Sequence, residues 1–144
     1  MSDLTLGDLS KKMAKLDFAM LNTTSTDGGL TSRPMSNNGD VEYDGDSYFF
    51  AYENSRKIAE IRADNEVSLT YTGALGMLGG SPIFVGVQGT ASLIEDKGTF
   101  ADHWTKDLDR YFPDGIDTPG IVMIKVHARS IRYWDGSDEG QITV

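Results

Sequence analysis

The sequence contains no cysteine, which excludes disulfides, thiol redox centres and thiolate metal sites. Histidine is scarce. His103 and His127 are the two present, and neither has a partner at ligand spacing. HExxH, the DxDxDG calcium pattern and the GxSxG nucleophile elbow are all absent. Basic residues are few, with 13 Lys and Arg against 22 Asp and Glu and a net charge of −9. The sequence pI is near 4.5. Such a surface argues against nucleic acid as a partner, because phosphate backbones need a basic face. No apolar run reaches the roughly 20 residues that span a bilayer. The opening MSDLTLGDLSKKM lacks the apolar core of a secretory leader. The expectation is a cytoplasmic protein with no membrane contact. No internal repeat or low-complexity tract is present.

What is there suits one globular domain over residues 1–144, with 39% hydrophobic and 24% charged residues. Leu6, Leu9, Met13 and Leu16 share a helical face, predicting an amphipathic helix over 5–16. Phe18–Thr24 and Leu30–Met35 read as strands around a Thr26-Asp27-Gly28-Gly29 turn. Pro34 makes the second an edge strand or a bulge. Asp44-Gly45 marks a turn before a strand at 47–52, followed by a helix at 55–64 with Asn65 as a left-handed cap. Val67, Leu69 and Tyr71 alternate with polar residues in a half-buried strand. Gly73–Gly80, GALGMLGG, matches neither GxGxxG nor a P-loop and is expected to be a mobile flap. Ile83–Ile94 is a long strand that Gly86 and Gly89 allow to bulge. Phe100, Trp104, Leu108 and Tyr111 predict one helix over 97–112. Strands at Ile121–His127, Ser130–Trp134 and Gln141–Val144 complete the chain. Short connections favour antiparallel pairing. The predicted fold is mainly β with flanking helices (α+β), arranged as a small antiparallel barrel.

The most informative stretch is Tyr48–Ile61, YFFAYENSRKIAEI. An aromatic strand ends at Glu53-Asn54, and Ser55 stands where it can cap the next helix. Arg56 and Lys57 follow at once. Cations on a first turn oppose the helix dipole, so an anion, best a phosphate, would explain them. A capped surface helix with solvated basic residues explains them too. Arg33, on a strand close in sequence, is the third cation of this candidate site. His103, His127 and the paired aspartates read as solvated or structural groups. Trp134 ends a strand and suits either a core anchor or a rim residue covering a flat ring.

Taken in order, these segments resemble the FMN-binding split barrels related to pyridoxamine 5′-phosphate oxidase, and within them the bacterial general stress protein branch. The resemblance rests on Arg33-Pro34-Met35 after Asp27-Gly28-Gly29, Phe49-Phe50 and Ser55-Arg56-Lys57. The later segments His103-Trp104, Phe112-Pro113-Asp114-Gly115 and Tyr133-Trp134-Asp135 match as well. It implies an antiparallel split β-barrel and a homodimer with two FMN sites at the subunit interface. By position, Arg33, Ser55, Arg56 and Lys57 would hold the FMN phosphate. Backbone at Pro34–Met35 and Phe50–Ala51 would meet the ribityl chain and ring, and Trp134 would approach the flavin, from either subunit. The oxidases themselves carry a Lys where this chain has Asn38 and an Arg-x-His where it reads Gly140-Gln141-Ile142. Their substrate-phosphate segment has no counterpart. The resemblance therefore implies flavin-dependent redox chemistry in stress response, with a non-catalytic flavin carrier or sensor as the alternative. Oxidation of pyridoxamine phosphate is disfavoured.

Overall fold

A computed structural model describes residues 4–37, 43–73, 82–136 and 138–144. Helix α1 (Leu6–Met13) opens on a capping box. Thr5 accepts from the Asp8 backbone N–H, and the Asp8 carboxylate accepts from that of Thr5. Strands β1 (Phe18–Thr24) and β2 (Leu30–Ser36) form the expected hairpin. Its turn contains Gly28 at φ 91°, a left-handed conformation that suits glycine. Strand β3 (Asp46–Tyr52) runs into helix α2 (Arg56–Ala63), and β4 (Glu66–Thr72) and β5 (Ile83–Ile94) follow. Helix α3 (Lys97–His103), two 3₁₀ segments (Lys106–Arg110 and Gly115–Asp117), β6 (Ile121–Asp135) and β7 (Asp138–Thr143) end the chain.

The strands form one antiparallel sheet in the order β2-β1-β4-β5-β6-β3, with β7 on β6. Strand β5 pairs along nearly all of β6. The other edge of β6 takes β3 at Ile121–His127 and β7 at Ser130–Asp135. Among the described residues the ladder does not close between β2 and β3, so the barrel is split there. Pro34 lies on the edge strand β2, where its missing N–H costs no ladder bond.

The half-buried pattern of β4 is as expected, with Val67, Leu69 and Tyr71 inward. They join Leu21, Val87 and Ile131 in the barrel core, which α1 closes through Leu9 and Met13 and α2 through Ile58 and Ile61. Strands β3 and β6 carry uninterrupted apolar runs because both their faces are covered. Phe49, Ala51, Val122 and Ile124 face the barrel core. Phe50, Ile121 and Met123 face a second cluster built with Phe100 and Phe112.

Four expectations are corrected. The helix predicted over 97–112 breaks at Trp104, whose backbone is extended, because the 3₁₀ segment turns back to hydrogen-bond the indole N–H to Asp109 at 2.9 Å. The strands predicted at 121–127 and 130–134 are one strand. The register slips between Gln88 and Gly89, so Arg129 is accommodated as an extra residue. A Cβ at Gly89 would overlap the His127 carbonyl, so the close backbone approach requires glycine. Asn65 is not left-handed, since among the described residues none other than glycine has positive φ. Helix α2 instead ends on an extended Asp64 that leads directly into β4. Finally, the last strand is longer than predicted, running from Asp138 to Thr143. The Gly73–Gly80 flap lies outside the described residues beyond Gly73.

Candidate functional site

The turn between β3 and α2 sets one end of the site. The Ser55 N–H donates to the Tyr52 carbonyl at 3.0 Å, and its hydroxyl donates to the same oxygen at 2.7 Å. The expected side-chain cap is therefore absent, since the tight turn brings the Tyr52 carbonyl within reach of the serine. The α2 first turn contains no acidic residue. Its start thus offers backbone N–H groups and positive potential with no carboxylate to use them.

Lys57 points this turn into a cavity of about 700 Å³. Desolvation, and secondarily the nearby Arg33 charge, hold its pKa below the usual lysine value. An anion beside it would reverse that penalty. Arg56 is exposed and outside the cavity lining.

Arg33 is committed elsewhere. One terminal nitrogen donates to the Leu21 carbonyl at 3.1 Å and to Thr23 at 2.8 Å. The other donates to Thr31 at 2.8 Å and to the Glu60 carboxylate at 2.9 Å. The Thr23 and Thr31 hydroxyls also donate to the same Glu60 oxygen at 2.8 Å each. Glu60 is buried at 2% exposure. Hydrogen bonds from Thr23 first, then Thr31 and Arg33, hold its carboxyl below the ordinary value against desolvation. The guanidinium lies behind the lysine and acts on it through its field.

The cavity occupies the split between the two sheet ends. Pro34 and Met35 of β2 line one side, and Phe50 and Ala51 of β3 the other. A third wall comes from α3 and the following 3₁₀ segment, through His103, Leu108 and Phe112. That wall is held by aromatic packing: Phe50 meets Phe100 edge-on at 5.6 Å and Trp104 at 4.7 Å. The His103 ring stacks on Tyr48 at 3.6 Å between centroids. The same pair borders an adjoining cavity of about 120 Å³.

Six of the nine residues expected at the site therefore line one cavity: Pro34, Met35, Phe50, Ala51, Ser55 and Lys57. Arg33, Arg56 and Trp134 do not. Trp134 lies on β6 opposite Phe84, with the Arg132 guanidinium 5.2 Å from its ring centre. Sequence reading missed His103 and Arg110, which both line the cavity. His103 ends α3 and stacks on Tyr48, whereas Arg110 reaches the cavity from the 3₁₀ segment beyond the break at Trp104, which no local signal announced. Among the described residues, no three His, Asp or Glu side chains gather as a metal site. Walls that mix apolar and polar groups, with Lys57 beside the free N–H groups of the α2 start, suit a planar ligand with an anionic tail.

The family model described as pyridoxamine 5′-phosphate oxidase like matches residues 5–144. The chain belongs to this family. Among solved structures of the same fold is general stress protein 26 from Bacillus anthracis str. Sterne, at 22% identity and TM-score 0.73, covering 94% of this chain and 98% of that one. A Clostridium acetobutylicum protein related to general stress protein 26, of the pyridoxinephosphate oxidase family, matches at 16% identity and TM-score 0.78, covering 96% and 94%. A structure described as F420 reductase matches at 20% identity and TM-score 0.60, covering 83% and 94%. At these identities the likeness is one of fold. No curated protein gives a significant match. Of the two positions at which the resemblance set this chain apart from the oxidases, Asn38 lies outside the described residues and Gly140 lies on β7 opposite Tyr133. Gly140 is packed so closely that a Cβ would overlap the Tyr133 hydroxyl. A side chain at this position would require the Tyr133 ring to move.

Proposed function

We propose that this chain binds FMN in the β2–β3 cavity and supports flavin-dependent redox chemistry in stress response. The observation that carries the reading is the placement of Ser55, Lys57 and the α2 first turn beside Met35, Phe50 and Ala51 in one cavity of about 700 Å³ with mixed polar and apolar walls. An FMN phosphate would accept from the backbone N–H groups and Lys57, with Arg33 adding field from behind. The ring would lie between the β2 and β3 edges, against Met35, Phe50 and Ala51. Bound there, FMN supplies hydride and electron transfer, while the protein binds it, orients it and limits water. The F420 reductase neighbour supports a flavin-like ligand for the fold. Crowding at Gly140 counts against pyridoxamine phosphate as substrate.

A homodimer is part of this reading. The outer sheet face presents Phe18, Met20 and Phe84 at 55, 38 and 42% exposure. Trp134 stands directly opposite Phe84 in the ladder. A second copy covering this face would also bring its Trp134 toward a site that its own chain does not reach. A non-catalytic flavin carrier is the second reading, favoured by the lack of any hydrogen-bonded acid–base pair among the described residues lining the larger cavity.

The absorption spectrum of the purified protein, mixed with FMN and freed of excess ligand, tests binding. Retained flavin bands shifted from free FMN are expected, and a colourless protein would contradict the reading. Steady-state oxidation of NADH or NADPH by the holoprotein then separates enzyme from carrier.

A further inference from the structure

Lys57 and Arg110 are the cationic side chains that line the larger cavity. Each lacks an ion pair among the described residues. Asp17 and Asp107 line the same cavity, yet neither forms an ion pair with Lys57 or Arg110. Both cations thus stay open to an anionic ligand. They come from different elements. Lys57 belongs to the first turn of α2, and Arg110 ends the 3₁₀ segment Lys106–Arg110 on the facing wall.

Tyr52 couples the two elements. Its carbonyl accepts from both the N–H and the hydroxyl of Ser55. Its own hydroxyl donates to the carbonyl of Tyr111 at 3.3 Å. Arg110 is therefore one residue and one tyrosine side chain away from the turn that presents Lys57. The segment is also fixed behind Arg110. Trp104 holds Asp109, and the Tyr111 and Phe112 N–H groups both donate to the Leu108 carbonyl at 3.0 Å. Asp109, its neighbour in sequence, forms no ion pair with the guanidinium.

We propose that Arg110 is an anion-binding residue of this site, gripping from the facing wall the same phosphate that Lys57 meets. The inference rests on the flavin reading and deepens it. The ligand class it selects is a ring compound ending in a phosphate monoester. Its uncharged counterpart would forgo both cations.

The test is fluorescence titration of wild type, Arg110→Ala, Arg110→Lys, Lys57→Ala and the double alanine variant, each with FMN and with riboflavin. Arg110→Ala should weaken FMN by roughly ten- to a hundred-fold, the range for one charge-assisted hydrogen bond, and leave riboflavin nearly unchanged. Arg110→Lys should restore part of the loss, because it keeps the charge without the fork. The double variant should lose less than the product of the single losses, since both act on one anion. FMN affinity untouched by Arg110→Ala but reduced by Lys57→Ala would overturn the Arg110 assignment and leave the flavin reading standing. Equal losses for the two ligands would also overturn it, showing a packing role. Equal affinity of wild type for FMN and riboflavin would overturn both.

Discussion

Truncation of Phe100 separates the frame of the cavity from its binding groups. Phe100 is 2% exposed and lies outside the cavity lining. It meets Phe50, a cavity residue, edge-on at 5.6 Å. Burying a phenylalanine removes about 150–250 Å² from water, worth roughly 4–6 kcal/mol at ~25 cal/mol per Å², as an upper bound. Measured truncations of buried Phe to Ala cost about 3–5 kcal/mol. At roughly 2–4 °C per kcal/mol for a chain of this size, Phe100→Ala should lower Tm by about 6–20 °C. Removing the ring takes support from Phe50 and from the α3 wall, so FMN and riboflavin should weaken together. Urea unfolding at several wavelengths, followed by titration with both flavins under folded conditions, reads the two effects. A loss below about 1 kcal/mol would refute the packing argument. Weakening of FMN alone would refute the division between frame and anion site.

Glu60→Gln should change the acid limb of the stability curve. The folded carboxyl titrates below its ordinary value of 4.5, so its contribution is complete above that value and is lost as pH falls through the folded one. The urea midpoint difference between wild type and variant should therefore shrink between about pH 7 and about pH 3, and a constant difference would contradict this. Arg33→Ala should cost fold stability as well as flavin affinity, because it strips the buried Glu60 of its cation; unchanged unfolding midpoints would contradict it. Phe84→Lys places a charge on the exposed apolar face opposite Trp134 and should convert a dimer into monomers by light scattering. A wild type that is already monomeric at micromolar concentration with flavin bound would remove the dimer from the account.

Much of this architecture was legible because local and tertiary preferences agree. The first hairpin is bounded by a turn whose glycine has the positive φ the turn requires. The aromatic strand and the short helix after it fell where Ser55 and the isoleucine spacing placed them. The misses have tertiary causes. Phe100, Trp104, Leu108 and Tyr111 keep helical spacing, yet the Trp104–Asp109 bond and the burial of Phe112 favour a broken segment. Nothing local to Arg129 says that it is the extra residue at a bulge, because the slip is set by a close approach between Gly89 and His127. In the site, the cavity positions of Phe50, Ala51 and Lys57 were readable from an aromatic strand and cations at a helix start. The engagement of Arg33 was not, since Glu60 looks like an ordinary polar position until the hairpin brings Thr23 and Thr31 over it. Arg110 enters the cavity from the segment beyond the helix break, and His103 through its stack on Tyr48, a contact between distant parts of the chain.

The central claim is that the α2 first turn, through Lys57, holds the phosphate of a flavin lying in the β2–β3 cavity. It is tested most directly by titrating wild type and Lys57→Ala with FMN and with riboflavin. The variant should lose roughly ten- to a hundred-fold in FMN affinity, keep its riboflavin affinity and unfold at the wild-type midpoint. Equal FMN affinity in the two proteins would contradict it.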